Sequence, residues 1–400
     1  MAGRTLLPPM IMCAEITELC LLPENFWKSR LTTIPQIISA VYSPLPLPAV
    51  KPSPINMFMS TTVAPAETGS RGSLHKLLIT GITGLIGSNV LRKILEKHPG
   101  MDITALVRPK TQQVRYAEFG GRVRIVELDI GDIAGLRDFL FTNDFNTIMH
   151  IGALRGGRKF PRNDYLACNI YSTEQIVEYC LAKNARLIFC SSVGVFGAIP
   201  NELPANNQTT MNPDNLYHYT KIEAERIINR STLHGLQAAI IRPSITYGKG
   251  DKGFPYTLVK MVHKRYFPLI NKRVWIHLCH IDALVKAFVW LLDNPWKSGL
   301  TLNVADREPI QLHSLVDFIS RQLHGKNYPR ILMVDRIFFA WGERIARLFK
   351  NELWVSRFEL ISKSWIYNVH PYYELMDNEK LTPHYTIPEF KITIEDYLGK

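Results

Sequence analysis

The chain has 400 residues, of which 46% are hydrophobic and 20% charged; that is enough apolar surface for a large core and excludes disorder throughout. Lys plus Arg number 47 against 35 Asp plus Glu, a formal net charge of +12. The basic residues are scattered rather than gathered into runs, which points to an ordinary basic surface with room for an anionic ligand and argues against a nucleic-acid partner.

No apolar run reaches the ~18 residues that a membrane-spanning helix needs. The 6 cysteines, Cys13, Cys20, Cys168, Cys180, Cys190 and Cys279, form no CxxC pair. They read as core thiols of a reducing compartment, with a cytoplasmic location and no metal site expected.

Residues 1–73 stand apart. The stretch "YSPLPLPAVKPSPINMF" is proline-rich and loses both strand and helix periodicity, so a mobile, disordered extension is expected. Its start lacks the basic and apolar regions of a signal peptide, and Glu15 and Glu18 fit a transit peptide poorly, although organelle targeting stays open. The alternative is translation that begins at Met57 or Met59.

From Leu74 strands and helices alternate. "LHKLLIT", "DITALVR", "VRIVELD", "TIMHIGA", "ARLIFCSS" and "LQAAIIRPSITYG" read as six strands, with "SNVLRKILEKH" as the first helix. Continuous apolar strands between helices predict an α/β fold, a Rossmann-type doubly wound parallel sheet. We assign 74–249 plus about 276–300 to this domain. Residues from about 250 to 275 and from 301 to 400, shorter in period and more aromatic, are assigned to a smaller C-terminal substrate domain.

The first strand runs into "TGITGLIGSNV". Glycines at 81, 84 and 87 allow a tight turn, close approach of a pyrophosphate to the backbone, and close packing of the helix, whose N-terminal amides favour phosphate. A dinucleotide is therefore expected here. Where an acid commonly reads the ribose after the second strand, "ALVRPK" has Arg108, with Lys110 close by. A guanidinium suits a 2′-phosphate, so NADP is favoured, with NAD as the alternative.

In "LYHYTKIEAERII" Tyr217 and Lys221 lie four apart, on one helical face. An adjacent ammonium and an oxidised nicotinamide would lower the phenol's pKa and make Tyr217 an acid/base, while Lys221 would also hold the nicotinamide ribose. Tyr219 has no lysine at that offset.

These motifs resemble the extended short-chain dehydrogenase/reductases, also called the NAD-dependent epimerase/dehydratase family. "TGITGLIG" is similar to their Thr-Gly-x-x-Gly-x-x-Gly, "HIGA" to their His-x-Ala-Ala, "SVGVFG" to their Ser-x-x-x-[Tyr/Phe]-Gly, and "RPSITYG" to their Arg-Pro-x-x-x-Tyr-Gly. The resemblance implies a cofactor held by Thr80, Gly81, Thr83, Gly84, Leu85, Ile86, Gly87, Arg108, Asp129, Ile130, Ile151, Gly152, Ala153, Tyr217 and Lys221. Asp129 would contact the adenine. Ser192, Tyr217 and Lys221 would be the catalytic triad, and Ser192, Tyr217 and Ile245 would meet substrate. Asp282, in "HLCHIDALVKAF", is expected to cap or brace a helix.

Two departures bear on the reaction. Val193 and Gly194 replace the Asp-Glu pair with which the family's 4,6-dehydratases eliminate water, and Ile245 stands where sugar-nucleotide members often carry asparagine. Both suggest members resembling 3β-hydroxysteroid dehydrogenases and dihydroflavonol reductases. The leading expectation is an NAD(P)-dependent oxidoreductase that interconverts hydroxyl and carbonyl on a small, fairly apolar substrate. A nucleotide-sugar epimerase with the same triad is the alternative, and a non-catalytic NAD(P)-binding regulatory protein a third. Analogy with relatives suggests a homodimer.

Near the C-terminus, "RIFFAWGERIARLFK" sets Phe338, Trp341, Ile345 and Phe349 on one stripe opposite Arg344, Arg347 and Lys350. Core packing of the second domain is expected, with a lid over an apolar substrate or a helix on a membrane surface as alternatives.

Overall fold

Strand β1 (Lys76–Thr80) divides its side chains between two cores. Leu77 and Ile79 enter one, while Leu78 enters the other, as the two-residue period of a strand buried on both faces requires. The computed structural model describes residues 76–400 apart from 156–159, 350, 379 and 381. The extension expected over 1–73 lies outside the described residues.

After β1 come α1 (Leu85–Lys97), β2 (Asp102–Val107), β3 (Arg124–Glu127), α2 (Ile133–Thr142) and β4 (Thr147–His150). Helix α3 (Arg162–Leu166) continues through a π turn, Ala167–Tyr171, into α4 (Ser172–Lys183), which leads to β5 (Arg186–Cys190), α5 (Leu216–Thr232) and β6 (Ala238–Pro243). Helix α1 buries Val90, Leu91, Ile94 and Leu95 on one face. Asn215 caps α5, its side chain accepting the His218 amide at 2.9 Å.

The central sheet is parallel, in the order β3-β2-β1-β4-β5-β6-β11, where β11 is Leu300–Val304. Connections reverse direction between β1 and β4, which opens a crevice at the strands' C-terminal ends. The seventh strand, β11, was not among the expected six. Before it run β7 (Thr246–Tyr247), α6 (Phe254–His263), β8 (Leu269–Ile270), β9 (Trp275–Ile276), β10 (Cys279–His280) and α7 (Ile281–Asp293). β11 itself, Leu300–Val304, pairs with β6 over Ala239–Pro243. A boundary at 300/301 therefore cuts through a strand of the central sheet.

The remaining elements are β12 (Ile310–Gln311), α8 (Leu312–His324), β13 (Met333–Val334), α9 (Arg336–Leu348), α10 (Glu352–Ser362), α11 (His370–Asn378), α12 (Thr386–Glu389) and α13 (Lys391–Leu398). A separate core holds Leu258, Phe267, Ile276, Leu315, Phe339, Trp365 and Phe390. The tail does not belong to that core alone, because Tyr372, Tyr373 and Met376 of α11 return to the sheet's own core. Cys168, Cys180, Cys190 and Cys279 are free and buried.

His280, not Asp282, caps α7, its ring accepting the Asp282 amide at 3.4 Å. Asp282 sits in the first turn, where its charge faces the positive end of the helix.

Candidate nucleotide-binding and catalytic site

The three glycines of the β1–α1 turn have different reasons to be there. At Gly81 the backbone has φ +81°, and a Cβ would stand 2.6 Å from the Gly152 amide nitrogen. At Gly87 it would stand 2.3 Å from the Gly81 carbonyl oxygen. Protein packing thus forbids side chains at both. Gly84 is exposed, and a Cβ there would meet only the Gly81 carbonyl, at 3.4 Å. Gly84 also caps α1 without a side-chain hydrogen bond to the first-turn amides. A dinucleotide phosphate fits this cradle, since open space and helix amides coincide at one residue.

Gly152 is tied to the same turn. Its amide donates to Thr80 Oγ1 at 2.9 Å, and that hydroxyl lies 2.9 Å from His150 Nδ1. Burial, followed by the Lys221 charge, pushes His150 down to about 3. The ring is therefore neutral and shares one hydrogen bond with the Thr80 hydroxyl. A Cβ on Gly152 would lie 3.0 Å from Thr80 Oγ1, so glycine in the place of the family's alanine matches the threonine beneath it. Thr83, Leu85, Ile86, Ile151 and Ala153 are all partly buried around the turn.

Asp129 and Arg108 meet each other, with Arg108 Nε 3.3 Å from Asp129 Oδ2. Asp129 Oδ1 also accepts the Gly131 amide at 2.9 Å. Ile130, next to it, packs against Leu154, Tyr165 and Cys168. The expected reading of Arg108 as a free 2′-phosphate grip is not supported, because a carboxylate beside the guanidinium both occupies it and repels a phosphate. A second arginine was missed: Arg115 donates to the Thr83 carbonyl at 2.6 Å, reaching across the glycine turn.

Ser192, Tyr217 and Lys221 converge at the end of β5. Lys221 Nζ donates to the Cys190 carbonyl at 2.7 Å and lies 4.6 Å from the Phe189 ring centre. Tyr217 hydrogen-bonds Ser192. Ser192 Oγ in turn accepts the Gly194 amide at 3.0 Å. The neighbouring Ser191 hydroxyl is buried and has no partner among the described residues. Burial pulls Lys221 down to about 8, against the opposing influence of Cys190 and Glu225.

Lys221 alone does not bring about the expected lowering of the Tyr217 phenol. The Tyr217 phenol is raised, not lowered, because burial outweighs the opposing Arg155 charge and the Ser192 hydrogen bond. Lys221 is turned to the strand-end carbonyl instead, so ionisation of the phenol is left to the charge of a bound cofactor.

The substrate side contains residues that sequence reasoning missed. Gly194 faces the His218 ring so closely that a Cβ would sit 2.2 Å from His218 Nε2. His218 Nδ1 is held by the Asp214 carboxylate and lies 3.0 Å from Asn215 Nδ2. The absence of an acid at 194 thus has a steric cause. Asp251 has one carboxylate oxygen on the Gly253 amide at 2.8 Å and the other buried without a partner among the described residues. The positive charge of Arg155 acts on both Asp251 and Tyr217. Ile245 is partly buried against the second core, and its carbonyl accepts the Cys279 amide at 3.0 Å. No periodicity marks Arg155, Asp214, His218 or Asp251; only the presence of histidine right after Tyr217 could have drawn attention.

Arg242, from "RPSITYG", makes a buried double hydrogen bond to Glu225 at 2.9 and 2.6 Å. It braces α5 against β6. Tyr247 donates to Asp306 Oδ2 at 2.8 Å.

The family described as "NAD dependent epimerase/dehydratase family" matches residues 77–305. UDP-glucuronate 4-epimerase 4 of Arabidopsis thaliana is 25% identical over 290 residues, covering 65% of this chain and 66% of the relative. The dTDP-glucose 4,6-dehydratase of Mycolicibacterium smegmatis is 29% identical over 220 residues, 51% of this chain and 65% of that one. The chain thus spans just under two thirds of the length of these curated relatives. Among solved structures, the UDP-glucuronic acid 4-epimerase from Bacillus cereus in complex with NAD superposes with a TM-score of 0.61 at 18% identity, covering 81% of this chain and 98% of that one. None of these matches singles out the hydroxysteroid or flavonol subgroup. With more than half its length matched and the Rossmann-type sheet in place, the chain belongs to the NAD-dependent epimerase/dehydratase family.

Proposed function

We propose that this chain is an NAD-dependent epimerase of a nucleotide-linked sugar, which oxidises one carbinol carbon and reduces it again from the opposite face. The observation that carries the reading is the meeting of Ser192, Tyr217 and Lys221 at the end of β5, beside a residue, Gly194, whose space is closed to a carboxylate by His218. Redox chemistry has its acid/base there, while elimination of water lacks the acid it needs. The curated relatives named above, UDP-sugar epimerase among them, support this over the apolar-substrate reading.

NAD, when bound, supplies a hydride acceptor that later serves as donor. Gly84 and the first turn of α1 would hold its pyrophosphate, and Asp129 its adenosine half. We favour NAD over NADP because Arg108 already has a carboxylate partner at 3.3 Å. Tyr217 takes the hydroxyl proton as hydride leaves the carbon and returns that proton to the same oxygen when hydride comes back, so no net proton or electron is consumed. Ser192 donates to the reacting oxygen and restrains it. Lys221, fixed on the Cys190 carbonyl, stays mostly protonated at neutral pH with its pKa of about 8 and would hold the nicotinamide ribose by that charge.

A second reading, simple dehydrogenation or reduction of a less polar substrate, is favoured by one residue, Ile245, which offers no amide to a sugar nucleotide. The test is conversion of UDP-glucuronate or UDP-glucose by the full chain with NAD. Tyr217→Phe should lower turnover at least ~100-fold, as loss of a general acid/base does, with NAD affinity kept within about 2-fold. Turnover unchanged by that substitution would refute the role of Tyr217.

A further inference from the structure

Helix α9 turns its apolar stripe outward. Its inner face packs on α10, with Phe339 and Ala346 buried and Gly342 so close to the Phe358 ring that a Cβ would lie 2.7 Å away. The opposite arc is exposed: Ile337 63%, Trp341 59%, Leu348 69%, with Phe338, Ile345 and Phe349 also exposed. The expected core packing of Phe338, Trp341, Ile345 and Phe349 is therefore overturned; Lys350 lies outside the described residues.

Asp335 commits a carboxylate oxygen to the Ile337 amide at 2.9 Å, and beyond that cap the described charges beside this stripe are mainly cationic. The carboxylates of Glu343 and Glu359 are taken up by Arg347 and Lys363. Arg336 and Arg344, exposed along one border of the stripe, have no ion-pair partner among the described residues. Exposed Arg357 of α10 lies over the ring of Trp354, itself 40% exposed, at 5.1 Å.

We propose that this face of α9 lies on an anionic lipid bilayer surface, with its aromatic and aliphatic stripe in the headgroup region and its arginines on lipid phosphates. Exposed Trp, Phe, Ile and Leu on one arc, flanked by cations, form the pattern of a helix that lies in the interface plane. A second copy of the chain fits the surface less well. A two-fold contact with the helices antiparallel would set each arginine border against its own copy, and like charges across an interface are costly. No described helix is long and apolar enough to cross a membrane, so the contact is peripheral. The inference stands apart from the catalytic reading, and its test does not use turnover.

The full chain is sedimented with phosphatidylcholine vesicles, with and without phosphatidylserine. It should co-sediment with the phosphatidylserine vesicles, release as salt is raised, and show at least ~10-fold weaker partitioning after Trp341→Ser with Ile345→Ser, or after Arg336→Glu with Arg344→Glu. Circular dichroism on the variants checks that exposed substitutions leave the fold intact. Binding that both double variants retain would overturn the proposal. So would a wild-type chain that stays in the supernatant with both vesicle types, whether as a monomer or as an oligomer that the Trp341→Ser, Ile345→Ser variant dissociates.

Discussion

Burial is what holds the His277 imidazole neutral, and the bonds its two ring nitrogens make fix its tautomer. One ring nitrogen, Nε2, lies 2.7 Å from the Asp306 carbonyl, to which it must donate, and the other accepts the Tyr367 amide at 3.2 Å. A second proton would break the Tyr367 bond, and burial pushes the ring down to about 4 from 6.5. His150 is pushed lower, to about 3. Between these values and 6.5 the unfolded chain binds protons that the folded chain refuses, so the stability these rings contribute is present above 6.5 and lost on acidification through the folded values. Asp306, raised to about 6 from 3.8 chiefly by burial, acts in the opposite sense over its own window. His277 alone should lose on the order of 3 kcal/mol across its window. Proton NMR of the ring should show His277 unprotonated down to about pH 4, with thermal melting falling over the same window. Protonation of a folded-state ring near 6.5 would contradict this.

At the scale of an element, the β1–α1 unit separates steric from functional glycine. Three glycines at even spacing were legible as a nucleotide turn, but which of them faces ligand was not, because Gly81 meets Gly152, 71 positions later, and sequence spacing carries no such contact. Gly87→Ala should destabilise the fold, since a Cβ 2.3 Å from a backbone oxygen cannot be relieved by a side-chain rotation; overpacking typically costs about 1–3 kcal/mol. Gly84→Ala should melt close to wild type and lose NAD affinity instead. Calorimetry on both variants, paired with NAD titration, checks the split. The opposite pattern, with Gly84→Ala unstable and Gly87→Ala fully folded, would contradict it.

The same limit explains what else was hidden. Arg108 and Asp129 were each singled out, yet their ion pair was not, and it removed the expected preference for NADP. The stripe on α9 was visible as a period, but periodicity says which residues share a face and not what covers it. Its exposure is a property of the fold.

Across the whole molecule, most of the first six strands were readable because they are continuous apolar runs buried on both faces, while the edge strand β3, "RIVE", is only half-buried at its centre and was read from its place in the alternation. β11, "LTLNV", follows the point where that rhythm breaks and alternates polar with apolar residues, so its pairing with β6 is what reveals it. The sheet core that holds Cys279 and Tyr373 and the separate core that holds Tyr247 and Phe390 are joined through Asp306, just past β11. Its carboxylate accepts from Tyr247 Oη at 2.8 Å, from Thr386 Oγ1 at 2.6 Å and from the His280 amide at 2.8 Å. Residues from β7, β10 and α12 thereby meet at one buried acid, which is why a division of the chain by sequence alone places its boundaries imperfectly.

An epimerase returns the hydride it removes. With the full chain, NAD and UDP-glucuronate or UDP-glucose, the account predicts accumulation of the 4-epimer while the reduced-nicotinamide absorbance stays flat. Reduced nicotinamide rising in step with product, with no epimer formed, would contradict it and leave a one-way dehydrogenase in its place.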